Sequence, residues 1–329
     1  MTTHTQKSVS LMDCAYGAFA GITSALILAF ALSHSGGVLV LLTYVAPVPL
    51  FMAGMGVSPV ACLMASLVGT AGLFTFCPSS YGVFYLLSDA LPAVGLVSMA
   101  MRSRIGVDGK IEWSGEGNIL TVLATYPCLM FLGVYISTMG HEGGLLAMTV
   151  EAFNGMGDQV TAMLTENGQA ITPEMTLKVH QYFEFCARIT PALAMCAWLF
   201  STLIAMAAAQ GLLQQRKWNL RPQFSLARLH IPNWVIFAAA LTGLAAMYAP
   251  PPYDYIGLNL ALVLGVPFFF VGLAIVHAYA EQTKKPTLVL IIFYTVISII
   301  VHLVLLVAIL GAVDQWVDFR KRFAGRTLN

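Results

Sequence analysis

The chain has 329 residues, of which 58% are hydrophobic and only 9% are charged, and its formal net charge is +1. A soluble domain carries about 25% charged residues, so this composition excludes a soluble globular protein and indicates one embedded in lipid. The few charges lie in short polar segments without a long basic stretch, so no nucleic-acid partner is expected. Taken in chain order, the apolar segments predict eight or nine membrane-spanning helices.

The first apolar segment, residues 14–33, carries a small side chain at every fourth position. In an α-helix this spacing places the small residues on one face, where they allow another helix to approach closely within the bilayer. Two interpretations are open: the face packs inside the bundle, or it docks a separate membrane subunit. The residues of this small-residue face are Gly17, Gly21, Ala25, Ala29 and Ser33.

The second apolar segment, residues 37–55, contains two prolines. Pro47 and Pro49 lack the backbone N–H that a helix needs, so the sequence predicts a broken helix. Residues 59–76 form the third predicted span, and Pro92 in the fourth gives a second candidate break. Interrupted helices are where transporters bind substrate, which favours a transport function.

The fourth segment, residues 81–104, combines a span with an acid. Arg102 and Arg104 at its end are expected in the cytoplasm under the positive-inside rule. Asp89 lies in the apolar part, where a charge costs about 2.5–3.5 kcal/mol on insertion scales and normally faces a partner or a cavity. Either Asp89 binds a solute or a coupling ion, with Tyr85 one turn earlier, or it has a structural partner in the bundle.

A fifth span is predicted at residues 118–139 and is followed by the longest polar stretch, residues 140–185. This stretch contains six acidic residues and one lysine, and by parity with the arginine-bearing loop it is expected outside the cytoplasm. Apolar residues at helical spacing predict an amphipathic helix on the outer membrane surface or capping the bundle. Thr172 and Pro173 predict the start of a second helix that continues into the sixth span, ending near residue 210.

Three further spans are predicted at residues 234–249, 255–280 and 287–312. A basic loop, residues 211–232, precedes them and is expected in the cytoplasm, and a basic tail follows them. Nine crossings from a cytoplasmic N-terminus would place the tail outside, whereas eight keep it inside. We therefore expect eight true crossings and one re-entrant or incomplete segment, either the second or the seventh.

Polar side chains are sparse in the C-terminal spans. Asn259 and His277 are candidate solute-binding residues, although Asn259 also fits an interhelical hydrogen bond and His277 an interfacial position. His302 is isolated in its span.

No catalytic or metal-binding motif is found. His141-Glu142 begins like a zinc-protease motif, but the required second histidine is absent. The six cysteines form no CxxC pair, and no GxxxxGK[ST] phosphate-binding loop occurs. The sequence therefore predicts no metal and no cofactor and gives no support for an enzyme, so any coupling energy would come from an ion gradient or a partner ATPase.

Residues 224–322 resemble the C-terminal half of the YybS-like family, a group of uncharacterised bacterial polytopic membrane proteins. The matching residues are Pro232 and Trp234; Asn259 with Gly272, Leu273 and Ala274; and Gly311 with Asp314 and Arg320. That family is distantly similar in fold to the substrate-binding subunits of energy-coupling-factor transporters. The resemblance implies a first span that docks a partner through small residues, and it implies no active site.

The sequence as a whole predicts an all-α, polytopic transmembrane helix bundle of eight to nine segments with one short extracytoplasmic helical segment. Its expected parts are an N-terminal membrane bundle (residues 1–139), the extracytoplasmic segment (residues 140–185) and a C-terminal bundle with a basic tail (residues 186–329). The expected location is the bacterial inner membrane. The expected function is binding or transport of a small neutral or cationic solute at a cavity near Asp89, and the alternative is a scaffold that recruits partner proteins.

Overall fold

The structure, a computed structural model, describes residues 10–34, 37–106, 109–167, 172–224, 229–300, 302–317 and 319. In chain order its elements are α1 (Leu11–Ser33), α2 (Gly37–Val45), α3 (Val48–Gly56), α4 (Pro59–Phe76), α5 (Ser79–Tyr85), a π-helical turn (Leu86–Ala90), α6 (Leu91–Ala100), β1 (Ser103–Ile105), β2 (Ile111–Trp113), α7 (Glu116–Thr138), α8 (Gly144–Glu166), α9 (Pro173–Gln215), α10 (Asn233–Tyr248), α11 (Tyr253–Glu281), α12 (Pro286–Ile299) and α13 (Leu303–Val317).

Within these ranges six helices are long and apolar enough to cross a membrane. They confirm a polytopic membrane protein built of α-helices. The helices α10, α12 and α13 are apolar but have only 16, 14 and 15 residues. At 1.5 Å per residue such helices reach about 21–24 Å, less than a hydrocarbon core of about 30 Å. The number of eight to nine segments therefore stays a prediction. The six long helices are Leu11–Ser33, Pro59–Phe76, Ser79–Ala100, Glu116–Thr138, Pro173–Gln215 and Tyr253–Glu281.

The chain forms two compact units, which are described separately. Unit 1 contains residues 1–123 and 198–230, and unit 2 contains residues 124–197 and 231–329. The predicted division at residues 139 and 185 stays a prediction.

Unit 1 is built around the close contact between α1 and α4. A Cβ atom on Gly21 would overlap the backbone carbonyl of Ala65, and a Cβ atom on Gly17 would lie 2.6 Å from the Ala61 carbonyl oxygen. The absence of a side chain at both glycines therefore lets the two backbones touch. The helix α4 begins at Pro59, with the Ser58 hydroxyl accepting a hydrogen bond from the Ala61 N–H at 3.1 Å.

The predicted break in residues 37–55 is confirmed. The helix α2 ends at Val45, and α3 begins at Val48, with Pro47 at its N-cap. Because Pro47 and Pro49 lack an N–H group, the carbonyl oxygens of Thr43 and Val45 lose their usual helical donors.

Unit 2 is organised around α11, which packs against α10 and α13. A Cβ atom on Gly272 would overlap the Val307 carbonyl, and one on Gly311 would overlap the Phe268 carbonyl. Since the contacts pair a later residue of α13 with an earlier residue of α11, the two helices run antiparallel. Their crossing depends on the two glycines.

The ninth predicted span, residues 287–312, is not one continuous helix, and its crossing of the membrane stays a prediction. The helix α12 ends at Ile299 and α13 begins at Leu303, so the segment contains two short helices. Ile299 and Ile300, where α12 ends, are β-branched residues, which have lower helix propensity than leucine or alanine.

The loop between the fourth and fifth spans contains an element that an all-α prediction missed. The strands β1 and β2 pair antiparallel, with Arg104 opposite Glu112. The Arg104 Nε donates to Glu112 Oε2 at 2.7 Å across the pair. The alternation of charged and apolar residues in these short strands was the available signal.

The helical prediction for residues 140–185 is confirmed over the described part. The helix α8 occupies Gly144–Glu166, and the second helix begins at Pro173, with the Thr172 hydroxyl accepting from the Met175 N–H at 3.3 Å. This helix is α9, and it continues without interruption to Gln215. The location of residues 140–185 outside the cytoplasm stays a prediction.

Candidate functional site

The residues around Asp89 form a π-helical turn rather than the break that Pro92 predicted. The Leu91 N–H bonds to the Leu86 carbonyl, five residues earlier, and the helix continues to Ala100. Pro92 has no N–H to offer the carbonyl of Ser88, four residues before it. Instead the indole N–H of Trp198 donates to the Ser88 oxygen at 2.9 Å. A side chain from another helix thus replaces the missing backbone donor.

Asp89 lies inside this turn and is only 7% exposed. Its Oδ2 atom is buried and has no hydrogen-bond partner among the described residues, and no Lys or Arg of those residues pairs with it. A carboxylate oxygen buried without a partner is energetically costly in a membrane bundle, which makes Asp89 a candidate functional residue. A π-turn also occurs more often at functional sites than elsewhere in helices.

Tyr85 connects the π-turn to the broken helix. Its hydroxyl donates to Ser24 Oγ at 2.9 Å, and Ser24 Oγ donates to the Ala46 carbonyl oxygen at 2.6 Å. Ala46 lies between α2 and α3, so its carbonyl oxygen belongs to the break. The result is a chain of hydrogen bonds from α5 through α1 to the break.

A cavity of about 300 Å³ adjoins the same turn. Leu86 and Ala90 line one side, and Ser66 and Thr70 of α4 contribute hydroxyl groups to a mainly apolar wall. The Thr70 hydroxyl is buried without a partner among the described residues. Asp89 itself does not line this pocket, so the predicted cavity near Asp89 stays a prediction.

The small-residue face of α1 is mostly occupied within unit 1. Gly17 and Gly21 contact α4, and Ala25 is buried, whereas Ala29 is half-buried and Ser33 is exposed. These contacts favour packing inside the bundle over docking of a separate subunit. Because Gly21→Leu would overlap Ala65, we expect this change to unfold unit 1, which circular dichroism and gel filtration would detect, so it cannot test partner docking.

Asn259 forms hydrogen bonds with the backbone of α9 on either side of Pro191, within unit 2. Its Oδ1 accepts from the Ala192 N–H at 2.8 Å, and its Nδ2 donates to the carbonyl oxygens of Arg188 (3.0 Å) and Tyr255 (2.9 Å). Ala192 and Arg188 would pair with each other in a regular helix, but Pro191 lies between them and distorts the turn. The Asn259 amide is inserted in place of that bond. Both of its N–H groups are used, so none remains for a solute.

The charged neighbour of this amide is also paired. Arg188 Nη2 lies 2.5 Å from Asp254 Oδ2. An anion would have to compete with this carboxylate for Arg188. The cluster therefore has a structural role in unit 2.

His277 lies at the other end of α11 from Asn259. Its Nε2 is 2.9 Å from the Tyr294 hydroxyl of α12. The two residues are separated by 18 positions, or about 27 Å of helix at 1.5 Å per residue, so they cannot contact the same small solute. Of the four candidate binding residues, Tyr85 and Asp89 lie one turn apart in unit 1, whereas Asn259 and His277 lie far apart within unit 2.

Sequence reasoning missed Ser24 and Trp198. The signal for Trp198 was indirect, since a proline at position 92 requires a new donor for the Ser88 carbonyl. Which residue supplies that donor depends on packing between helices that are distant in the chain. Among the described residues, no group of three or more His, Cys, Asp or Glu side chains is arranged to hold a metal ion.

A family model described as "Predicted membrane protein (DUF2232)" matches residues 21–315 of the chain. The match covers every long apolar helix at least in part, and it includes the π-turn, Pro92 and Pro191. Comparison with curated proteins and with solved structures gives no significant match.

Proposed function

The chain belongs to the DUF2232 family of membrane proteins, and from that premise we propose that it binds and transports a small neutral or cationic solute. The carboxylate of Asp89 is the acidic group that receives the solute or a coupling cation. Tyr85 holds the turn that carries it. The protein is an integral multi-pass membrane protein embedded in lipid. Its transport function and its solute are both proposals.

The burial of Asp89 without a cation partner carries this proposal. A structural carboxylate in a bundle pairs with a cation or accepts hydrogen bonds on both oxygens, because isolated charge is costly there. Asp89 Oδ2 has neither among the described residues. An arrangement that lowers stability in this way is expected where function requires it.

Two neighbouring features support movement of a solute at this position. The break between α2 and α3 is joined to the π-turn by the hydrogen bonds of Tyr85 and Ser24. Interrupted helices form substrate sites in transporters because their backbone groups and dipoles face the solute. The adjacent cavity of about 300 Å³ has room for a small molecule.

The proposed preference for a neutral or cationic solute follows from the acidic residues of the protein. Asp89 attracts positive charge, and residues 140–185 contain six acidic side chains against one lysine. A segment of this sign lowers the local concentration of anions and raises that of cations.

The experiment is native mass spectrometry of the protein extracted from its own membranes in mild detergent, compared with Asp89→Asn. We expect a small-molecule adduct on the native protein that the variant loses. We also expect the variant to keep or raise its Tm, because asparagine has the same shape and removes an uncompensated charge. A purely structural carboxylate would give the opposite Tm change.

Asp158→Asn is the matched control, since it makes the same atomic change at an exposed position of α8. It should keep the adduct and the Tm. If Asp89→Asn keeps every adduct and has a lower Tm, the transport proposal is wrong. If only protein subunits accompany both forms equally, the scaffold alternative is favoured.

The proposed energy source, a partner ATPase, is inferred from the resemblance of residues 224–322 to the YybS-like family. Through that family the chain would be related to substrate-binding subunits of energy-coupling-factor transporters, and a partner ATPase would supply the energy. The sequence has no phosphate-binding loop, which supports ATP hydrolysis by a separate partner protein. The bacterial inner membrane is the proposed location.

A further inference from the structure

A second pocket lies in unit 1, where the β1–β2 hairpin meets the start of α7. It is open on one side and has a volume of about 310 Å³. We call it the hairpin pocket and define it by Arg102, Arg104, Glu112, Trp113, Ser114 and Asn118. None of these residues takes part in the site around Asp89.

The hairpin pocket has an excess of positive charge. Arg104 shares its charge with Glu112, since Arg104 Nε and Glu112 Oε2 are 2.7 Å apart. Arg102 is exposed and forms no ion pair with any residue that the structure describes. With two arginines and one glutamate, the formal charge of the pocket is +1. A planar guanidinium is the side chain best suited to bind phosphate oxygens.

The start of α7 contributes partial positive charge, which the carboxylate of Glu116 in its first turn partly offsets. The helix begins at Glu116 and has 23 residues, and Gly115, just before it, also lines the pocket. The first backbone N–H groups of a helix lack partners within the helix and carry partial positive charge. Ser114 and Asn118 provide further hydrogen-bonding groups beside them.

A buried cation, Arg221, lies next to Trp113 in the wall of the hairpin pocket. Arg221 is 4% exposed, donates from Nη1 to the Ala100 carbonyl at 2.8 Å, and lies 5.9 Å from the centre of the Trp113 ring. Burial lowers the pKa of Arg221, and nearby Glu116 opposes that shift, so the guanidinium stays charged at neutral pH. Glu116 Oε1 lies 4.0 Å from Arg221 Nη2 and offsets this charge, so Arg221 acts on the pocket mainly by its contact with Trp113.

The position of the pocket points to its ligand. Arg102 follows directly after the helix that ends at Ala100, so the pocket lies where a span leaves the hydrocarbon. Basic pockets at this level bind anionic headgroups. We propose that the hairpin pocket binds a phosphate group that carries net negative charge, with Arg102 as its free cation and Arg104 as a second cation shared with Glu112. The phosphate belongs either to an anionic lipid headgroup or to a soluble phosphate.

Two probes distinguish these sources. Native mass spectrometry with added phosphatidylglycerol, against phosphatidylcholine with the same acyl chains, measures lipid binding. The Tm in inorganic phosphate, against chloride at equal ionic strength, measures binding of the soluble ion. Phosphatidylglycerol adducts without a Tm response to phosphate assign the site to lipid, and the reverse result assigns it to a soluble ligand. Either result supports the proposal if the variants respond as described next.

The test variant is Arg102→Gln combined with Arg104→Gln. We expect the affinity for the probe that binds to fall about tenfold or more, since each arginine near an anionic group contributes substantially. Arg216→Gln with Lys217→Gln is the matched control, because it removes the same charge from exposed residues outside the pocket. The control should change affinity by less than about twofold.

Glu112→Gln provides a variant with the opposite expected effect. It releases Arg104 from its carboxylate and raises the formal charge of the pocket to +2, so we expect probe binding to tighten about threefold. All three variants change exposed or half-exposed side chains, and their fold can be checked by circular dichroism. If neither probe separates the two-arginine variant from the Arg216 and Lys217 control, the hairpin pocket is not a phosphate site.

Discussion

Replacing Asn259 by leucine, which has a similar size but no polar group, is expected to lower the stability of the protein strongly. The change removes three hydrogen bonds and leaves the Ala192 N–H and the Arg188 carbonyl without partners. Each buried polar group left unpaired costs about 1–3 kcal/mol, so the free energy of unfolding should fall by about 2–6 kcal/mol. In detergent this corresponds to a Tm lower by about 10 °C. Thermal unfolding followed by circular dichroism would measure it.

A second substitution separates the loss of the gap-filling amide from a general packing defect. With Pro191→Ala added, α9 can close the bond between Ala192 and Arg188 that the proline distorts. The double variant should therefore recover about half of the lost Tm. Pro191→Ala alone should change the Tm much less, because Asn259 still satisfies both groups. Additive losses in the double variant would contradict the role assigned to Asn259.

Replacing Gly272 by alanine should force α11 and α13 apart. The new Cβ would overlap the Val307 carbonyl, a backbone atom that cannot rotate away. Overpacking of a close contact costs about 1–3 kcal/mol and occasionally more, and we expect a loss near the upper end. Chemical unfolding in mixed micelles, read as a shift in midpoint, would measure the difference.

Gly265→Ala in the same helix is the matched control for this variant. A Cβ at Gly265 meets no atom within 4 Å. Alanine there removes the helix penalty of glycine, so stability should stay the same or rise by about 0.5–1 kcal/mol. Equal losses at Gly265 and Gly272 would show that the crossing of α11 and α13 does not depend on a missing side chain.

Local signals in the sequence were sufficient for most helix ends. The third span was predicted to begin at residue 59, where α4 begins, and Thr172 and Pro173 predicted the start of α9, because capping and proline at the first turn are properties of neighbouring residues. The break at Pro47 was predictable for the same reason. A composition with 9% charged residues was enough to predict a membrane protein.

Prolines inside long helices were harder to interpret. Pro92 predicts the loss of one bond, but the π-turn that results depends on Trp198 being placed to bond with Ser88. In the same way Asn259 has a role that is evident only once Pro191 is known to lie beside it. The Asp89 site was predicted as a residue but not as a geometry, because its cavity and hydrogen bonds come from helices brought together by folding.

The repair of proline gaps by distant side chains has a consequence for how the chain is made. Trp198 follows Ser88 by 110 positions, so a ribosome adding about 5–20 residues per second supplies the missing donor roughly 5–20 s after the carbonyl has been synthesised. During that interval the growing chain holds an open backbone group at bilayer depth. Nascent chains stopped before Trp198 should therefore be the forms that membrane quality control recognises and degrades.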